Sequence, residues 1–121
     1  MISVLLVDDN LLVRQALRAV LDSQPDLEVV GEAVDGREAV RLTQQVRPDV
    51  ILMDMFMPEM NGIDSTRHIH TFLPDSCIIG MSSSIDASLA SEFLSAGARA
   101  FLPKELVPSH LMELIRHECT L

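Results

Sequence analysis

Five short apolar runs recur along this chain, and after each comes a stretch whose apolar residues fall three or four positions apart. That alternation constrains the fold more than any other feature. A short run rich in branched residues suits a strand buried on both faces, while the longer spacing suits a helix with one apolar side. Ile2 to Val7 reads as the first strand. The helix after it carries Val13, Leu17, Val20 and Leu21 on one face and is ended by Pro25-Asp26. Glu28 to Ala33 is the second strand. Asp35, with Glu38 three residues on, has the pattern of a helix cap. Ala39, Val40, Thr43 and Val46 then face inward until the break at Arg47-Pro48-Asp49. Val50 to Met53 shows no polar alternation, which predicts a central strand covered on both sides. A loop from Asp54 to Asn61 leads to Gly62 and a helix reaching about Leu73. Cys77 to Met81 is the fourth strand and Ser82 to Ser84 a loop. Ile85, Leu89 and Phe93 mark a fourth helix, with Gly97 as its left-handed cap. Ala100 to Leu102 is a short fifth strand, and Pro108 opens a last helix with Leu111, Met112, Leu114 and Ile115 inward.

Strict strand–helix alternation predicts an α/β sandwich built on a parallel five-stranded sheet. Right-handed crossovers leave few strand orders, of which 2-1-3-4-5 sets the first and third strands side by side. A length of 121 residues suits one domain, 1–121, with no second or output domain, no repeat and no linker.

The strand ends then become informative, because in a parallel sheet the residues after the carboxyl ends of strands share one crevice. Asp8 and Asp9 follow the first strand, Asp54 the third, and Lys104 the fifth. Three carboxylates together repel unless a cation joins them. The arrangement therefore reads as a divalent-metal site with one carboxylate free to react. Each acid also has a plainer reading, since an Asp after a strand often forms a turn or caps a helix. Asp8, Asp9 and Asn10 are all candidates to cap the first helix.

Charge narrows the partners. Eighteen acidic against nine basic residues give a net charge of −9, which argues against this domain gripping nucleic acid or an anionic membrane. No apolar run approaches the roughly 20 residues of a membrane span. No basic segment precedes the first apolar stretch, so a signal peptide is not expected and a cytoplasmic setting is. Cys77 lies in an apolar run and reads as a core thiol, and Cys119, near the end, is expected to be exposed. His68 and His70 read as solvated. The methionines at 53, 55, 57, 60 and 81 are expected to pack around the loops. The stretch Asp86 to Ser95, low in charge, offers either a contact surface or simply a weakly polar helix.

The pieces Val7-Asp8-Asp9, Asp54-Met55-Phe56-Met57-Pro58 through Gly62, Ser82-Ser83, and Gly97-Ala98 with Phe101 and Lys104 together resemble the receiver domain of two-component response regulators. The resemblance runs over essentially the full length. Val30-Gly31-Glu32-Ala33, Asp35-Gly36 with Glu38-Ala39, and Arg47-Pro48-Asp49 look like its NarL/FixJ branch. The fold this implies is a flavodoxin-like, doubly wound (βα)5 sandwich. The resemblance implies that Asp54 is the phosphoacceptor, taking a phosphoryl group from a histidine kinase. It implies Mg2+ held by Asp8, Asp9 and Asp54 with the backbone carbonyl of Phe56, Asp9 directly and Asp8 through water. Lys104, Ser82 and the Ser83 backbone N–H would bind the phosphoryl oxygens. Ser82 and Phe101 would form the switch, and homodimerisation or an attached DNA-binding domain would be the readout. In that branch a DNA-binding domain usually follows the receiver, so these 121 residues are expected to be either a receiver-only protein or a piece of a longer one. Phe101 stands where Tyr is common, so a partner gains no hydroxyl there. Phe56 is a bulky apolar neighbour of the site mouth.

The resemblance implies a switch that assists only its own phosphorylation and hydrolysis, not an enzyme. The main alternative is a Mg2+-dependent phosphatase or phosphotransferase with an Asp nucleophile. That chemistry wants a second Asp two residues after the first, where this chain has Phe56. A nucleotide- or flavin-binding module lacks the Gly-rich loop it would need after the first strand.

Overall fold

The computed structural model describes residues 1–83 and 86–119. Five strands form one parallel sheet: β1 (Ile2–Val7), β2 (Leu27–Ala33), β3 (Val50–Asp54), β4 (Cys77–Ser82) and β5 (Ala100–Pro103). Their order is β2-β1-β3-β4-β5. The helices are α1 (Leu11–Asp22), α2 (Gly36–Val46), α3 (Gly62–Phe72), α4 (Ala87–Ala96) and α5 (Val107–Glu118). A 3-10 turn over Lys104–Leu106 joins β5 to α5. The alternation predicts the α/β sandwich on a parallel sheet, and the doubly wound, flavodoxin-like order is the one the resemblance implies.

Strand alternation splits the core in two. Val4, Leu6, Val50, Leu52 and Ile79 face α1 and α5, meeting Leu17, Leu21, Leu111 and Ile115. Leu5, Val7, Ile51, Met53 and Ile78 face the other way, meeting Ala39, Ile63, Ile69, Leu89 and Phe93. Every residue of β3 is buried, because β3 is central and both its faces carry helices. Met53 and Met81, expected among the loops, are fully buried on opposite faces of the sheet.

Caps settle where the helices begin. Asn10, and not Asp8 or Asp9, caps α1, its side chain accepting from the Val13 N–H. Asp35 caps α2 by accepting from the Glu38 N–H, while the Glu38 side chain reaches back to the Val34 N–H. Asp86 caps α4. Gly97 closes α4 at a φ of 120°, where a side chain would be strained and would meet the His70 ring. Ser84 and Ile85, expected in the loop and the fourth helix, lie outside the described residues.

Strands β3, β4 and β5 each run one residue past the expected end, β5 closing at Pro103 rather than Leu102. Asp54 is the last residue of β3 and Ser82 the last of β4, rather than the first residues of loops. The backbone of each is therefore held by the sheet ladder, in register with Met81 and Pro103 respectively.

The expectation for the cysteines is overturned. Cys119 is buried, not exposed, and forms a disulfide with Cys77, which is therefore no free thiol. The bond joins the end of α5 to the start of β4 across 42 positions, with Cα atoms 5.5 Å apart, inside the usual range. The pairing was not legible because distance in sequence hides the packing of α5 along the sheet. In a reducing compartment the same sulfurs would stand as adjacent buried thiols. By the chain-entropy argument, closing such a loop is worth up to about 4 kcal/mol. Reductant should thus lower the denaturant midpoint of the oxidised protein and leave that of Cys77→Ala/Cys119→Ala where it was. A wild-type midpoint indifferent to reductant would refute the linkage.

Candidate phosphoryl-transfer site

The topology brings the predicted acids to one place. β1 and β3 are neighbours, with Val7 opposite Met53, so the residues that follow each emerge side by side. The β1 ladder runs one step further, the Asp8 N–H donating to the Ala33 carbonyl at 3.1 Å. Beyond Asp54, the Met55 N–H donates to the Met81 carbonyl at 3.0 Å and the Gly62 N–H to the Met55 carbonyl at 2.9 Å. The backbone on both sides of Asp54 is thereby fixed before α3 begins.

Carboxylate oxygens of Asp8, Asp9 and Asp54 lie within 4.8 Å of one another. Asp8 and Asp54 are buried, whereas Asp9 is exposed at the rim. The Lys104 ammonium enters between the two buried acids, 2.8 Å from Asp8 Oδ2 and 2.9 Å from Asp54 Oδ1. Asp8 Oδ1 accepts from the Asn10 N–H at 2.9 Å.

The electrostatics follow from burial and crowding. Burial pushes the Asp54 carboxyl from 3.8 up to about 6; the Lys104 hydrogen bond opposes this, and Asp8 and Asp9 add repulsion. Burial works against the Lys104 charge, but its hydrogen bonds to Asp8 and Asp54 outweigh this and raise its pKa above the ordinary value. One cation among three carboxylates leaves the crevice negative. A hard, oxygen-only donor set of this kind fits Mg2+, which takes carboxylates and keeps several waters.

The remaining predicted residues sit around this centre at different depths. Ser82 is fully buried at the end of β4, and Ser83 follows it exposed. Phe56 stands in the loop after Asp54 with 57% of its surface exposed. Phe101 is half-buried on β5, its ring centroid 5.8 Å from that of Phe93 on α4. His68 and His70 are exposed on α3. Sequence reasoning missed Arg14 and Glu32 as parts of the surroundings. The Arg14 guanidinium donates to the Asp8 carbonyl at 2.7 Å and to Glu32 at 2.9 Å. Nothing in the spacing of residues 14 and 32 announces that contact.

Residues 4–116 match the family described as the response regulator receiver domain. The transcriptional regulatory protein LiaR of Bacillus subtilis is 46% identical over 116 residues, which are 96% of this chain and 55% of that protein. The chain spans about half the length of the curated transcriptional regulators it matches. Among solved structures, the response regulator domain of Thermotoga maritima CheB superposes with a TM-score of 0.91 at 36% identity, over 100% of this chain and 98% of that one. The CheX-CheY-BeF3-Mg complex of Borrelia burgdorferi superposes with a TM-score of 0.82 at 27% identity, over 94% of this chain and 89% of that one.

Proposed function

The chain belongs to the response regulator receiver domain family, and on that premise we propose that it is a phosphorylation switch with Asp54 as phosphoacceptor. One observation carries the reading. A buried carboxylate at a strand end shares a lysine with a second acid, inside a cluster of three. A carboxylate held this way is aimed, but it cannot easily accept a phosphoryl dianion without help.

In the reaction, an Asp54 carboxylate oxygen attacks phosphorus in line with the donor's leaving group. The new O–P bond forms as the bond to the donor breaks. A phosphohistidine leaves its electron pair on the imidazole nitrogen, which takes a proton; an acyl phosphate leaves as a carboxylate. Mg2+ held by Asp8, Asp9, Asp54 and the Phe56 backbone carbonyl would offset repulsion between Asp54 and the incoming oxygens. The Borrelia relative, with Mg and BeF3 in its complex, supports this assignment. Lys104 exchanges its contact with Asp54 for one with a phosphoryl oxygen, while Asp8 keeps it in place. Ser82 and the Ser83 N–H bind the other oxygens. As Ser82 moves toward them, Phe101 turns inward and alters the surface of α4, β5 and α5. Phosphoryl contacts that exist in only one packing shift the population.

The donor is a histidine kinase in the same, cytoplasmic compartment, and no helix among the described residues is long and apolar enough to cross a membrane. The output is dimerisation, a separate partner or an attached regulator segment. The net charge of −9 argues against nucleic-acid contact by this domain itself. The protein acts on no outside substrate; it assists only its own phosphorylation and hydrolysis.

The test is to add a small acyl phosphate with Mg2+ and weigh the intact protein. A gain of one phosphoryl group that requires Mg2+ supports the reading, and no gain refutes it. Phe56, exposed at the mouth, is expected to shield the acyl phosphate from water. Phe56→Asn should dephosphorylate severalfold faster, measured by mass after donor removal; an unchanged or slower rate rejects that role.

A further inference from the structure

Resting on the receiver reading above, we infer that Arg14 is a positioning residue for the cation site, bracing the acidic turn through its backbone rather than touching ion or phosphate.

Asp8 is tied at four points. Its N–H is held by Ala33 and its side chain by Asn10 and Lys104. Its carbonyl is held by Arg14 Nη1 at 2.7 Å. The first three ties come from the sheet, the turn itself and the reacting lysine. Only the last fixes the peptide linking Asp8 to Asp9, the residue that carries the rim carboxylate.

The far end of Arg14 is anchored too. Its Nε donates to Glu32 Oε1 at 2.9 Å, and Arg18 grips Glu32 Oε2 through Nε at 3.0 Å and Nη2 at 2.8 Å. The brace thus spans α1 and β2, and the Arg14 side chain is only 12% exposed. The Arg18 hydrogen bond leads the effects that hold the Glu32 carboxyl below its ordinary range, so Glu32 stays ionised at neutral pH.

Charge explains why this arrangement suits the site. A lone guanidinium beside the acids would compete with a divalent cation. Glu32 sits between Arg14 and Arg18 and offsets part of their charge, and Arg14 meets the turn at a backbone carbonyl, so the brace orients the turn without pairing with the carboxylates of the crevice. Partners that orient ligands from outside the coordination sphere typically alter metal affinity by about 10- to 100-fold when removed.

Mg2+ binding is measured by calorimetry, beside thermal melting without Mg2+ and phosphoryl uptake across Mg2+ concentrations. Arg14→Gln should weaken Mg2+ binding by about tenfold or more, with uptake restored at saturating Mg2+. Arg14→Lys keeps the charge but cannot span both the Asp8 carbonyl and Glu32, so its affinity should stay close to that of Arg14→Gln. Arg18→Gln leaves the Asp8 contact in place and should bind Mg2+ like wild type. Glu32→Ala, which frees the far end of Arg14, should show part of the loss and stands in should Arg14→Gln not fold. Unchanged affinity in Arg14→Gln and Glu32→Ala, full recovery in Arg14→Lys, or an equal loss in Arg18→Gln would overturn the assignment while the receiver reading stands. Wild-type protein that neither binds Mg2+ nor takes up phosphoryl would bring down both.

Discussion

Asp54→Asn is expected to take up no phosphoryl group from an acyl-phosphate donor and, without Mg2+, to be more stable than wild type at neutral pH. Loss of uptake follows because an amide oxygen is a poor nucleophile. The gain in stability follows from the raised pKa. The Asp54 carboxyl titrates at about 6 when folded against 3.8 ordinarily, so ionising it is harder in the native state. Linkage then has a definite sign. Below about pH 4 the group is neutral in both states and carries no penalty. The penalty grows as pH rises from about 4 to 6 and is complete above that. Its full size is on the order of 3 kcal/mol, from 1.36 kcal/mol per pKa unit. Denaturant titrations in chelator at pH 7.5 and near pH 4 should show the Asn variant ahead at the first and level with wild type at the second. A difference of the same size at both values would refute the assigned origin. Lys104 stays paired with Asp8 in the variant, so the substitution leaves no unpaired cation behind.

Gly62→Ala should destabilise the protein by about 3 kcal/mol or more, at the upper end of what overpacking commonly costs. Gly62 opens α3 directly against the end of β3. A Cβ there would overlap the Asp54 carbonyl oxygen and crowd the Met55 Cα at 3.1 Å. Both obstacles are backbone and neither can rotate away. Either α3 lifts off the sheet or the strand end that carries Asp54 shifts, so uptake of phosphoryl should slow as well. The melting temperature should fall by more than about 10 °C. Gly31→Ala is the control, because its Cβ would meet only the flexible Leu5 Cδ1, at 3.2 Å. A Gly62→Ala protein as stable as Gly31→Ala would show that the α3 entry is softer than its contacts imply.

The two variants bear on one design. The sheet holds Asp54 by its backbone, and Gly62 lets a helix approach that backbone closely. The resulting burial raises the energy of the ionised carboxylate. A divalent cation bound among the three acids would relieve that energy. A site that is uncomfortable when empty is one whose occupancy can move the rest of the fold.

The parts legible in the sequence were those set by local periodicity. Apolar runs such as Val50 to Met53 and helical stripes such as Leu111 and Ile115 report burial directly. The chirality of crossovers narrowed the strand order to a few, and in one of them, 2-1-3-4-5, Asp8, Asp9, Asp54 and Lys104 were expected to meet. Side-chain partnerships could not be expected in this way. Three residues competed to cap α1, and only geometry chose Asn10, leaving Asp8 to pair with Lys104. Cys119 looked like an exposed tail residue until α5 was seen to end over the start of β4.

By itself the sequence determined the alternation of elements and the strand ends at which the acids lie, because these follow from period along the chain, and handedness narrowed the sheet order to a few. Tertiary structure alone decided the depth of Asp54, the clasp of Lys104 between two carboxylates, the Arg14–Glu32 brace and the Cys77–Cys119 bond. Those depend on distances of a few ångströms between residues far apart in sequence, and hydrogen bonds, ion pairs and desolvation all change steeply over such distances.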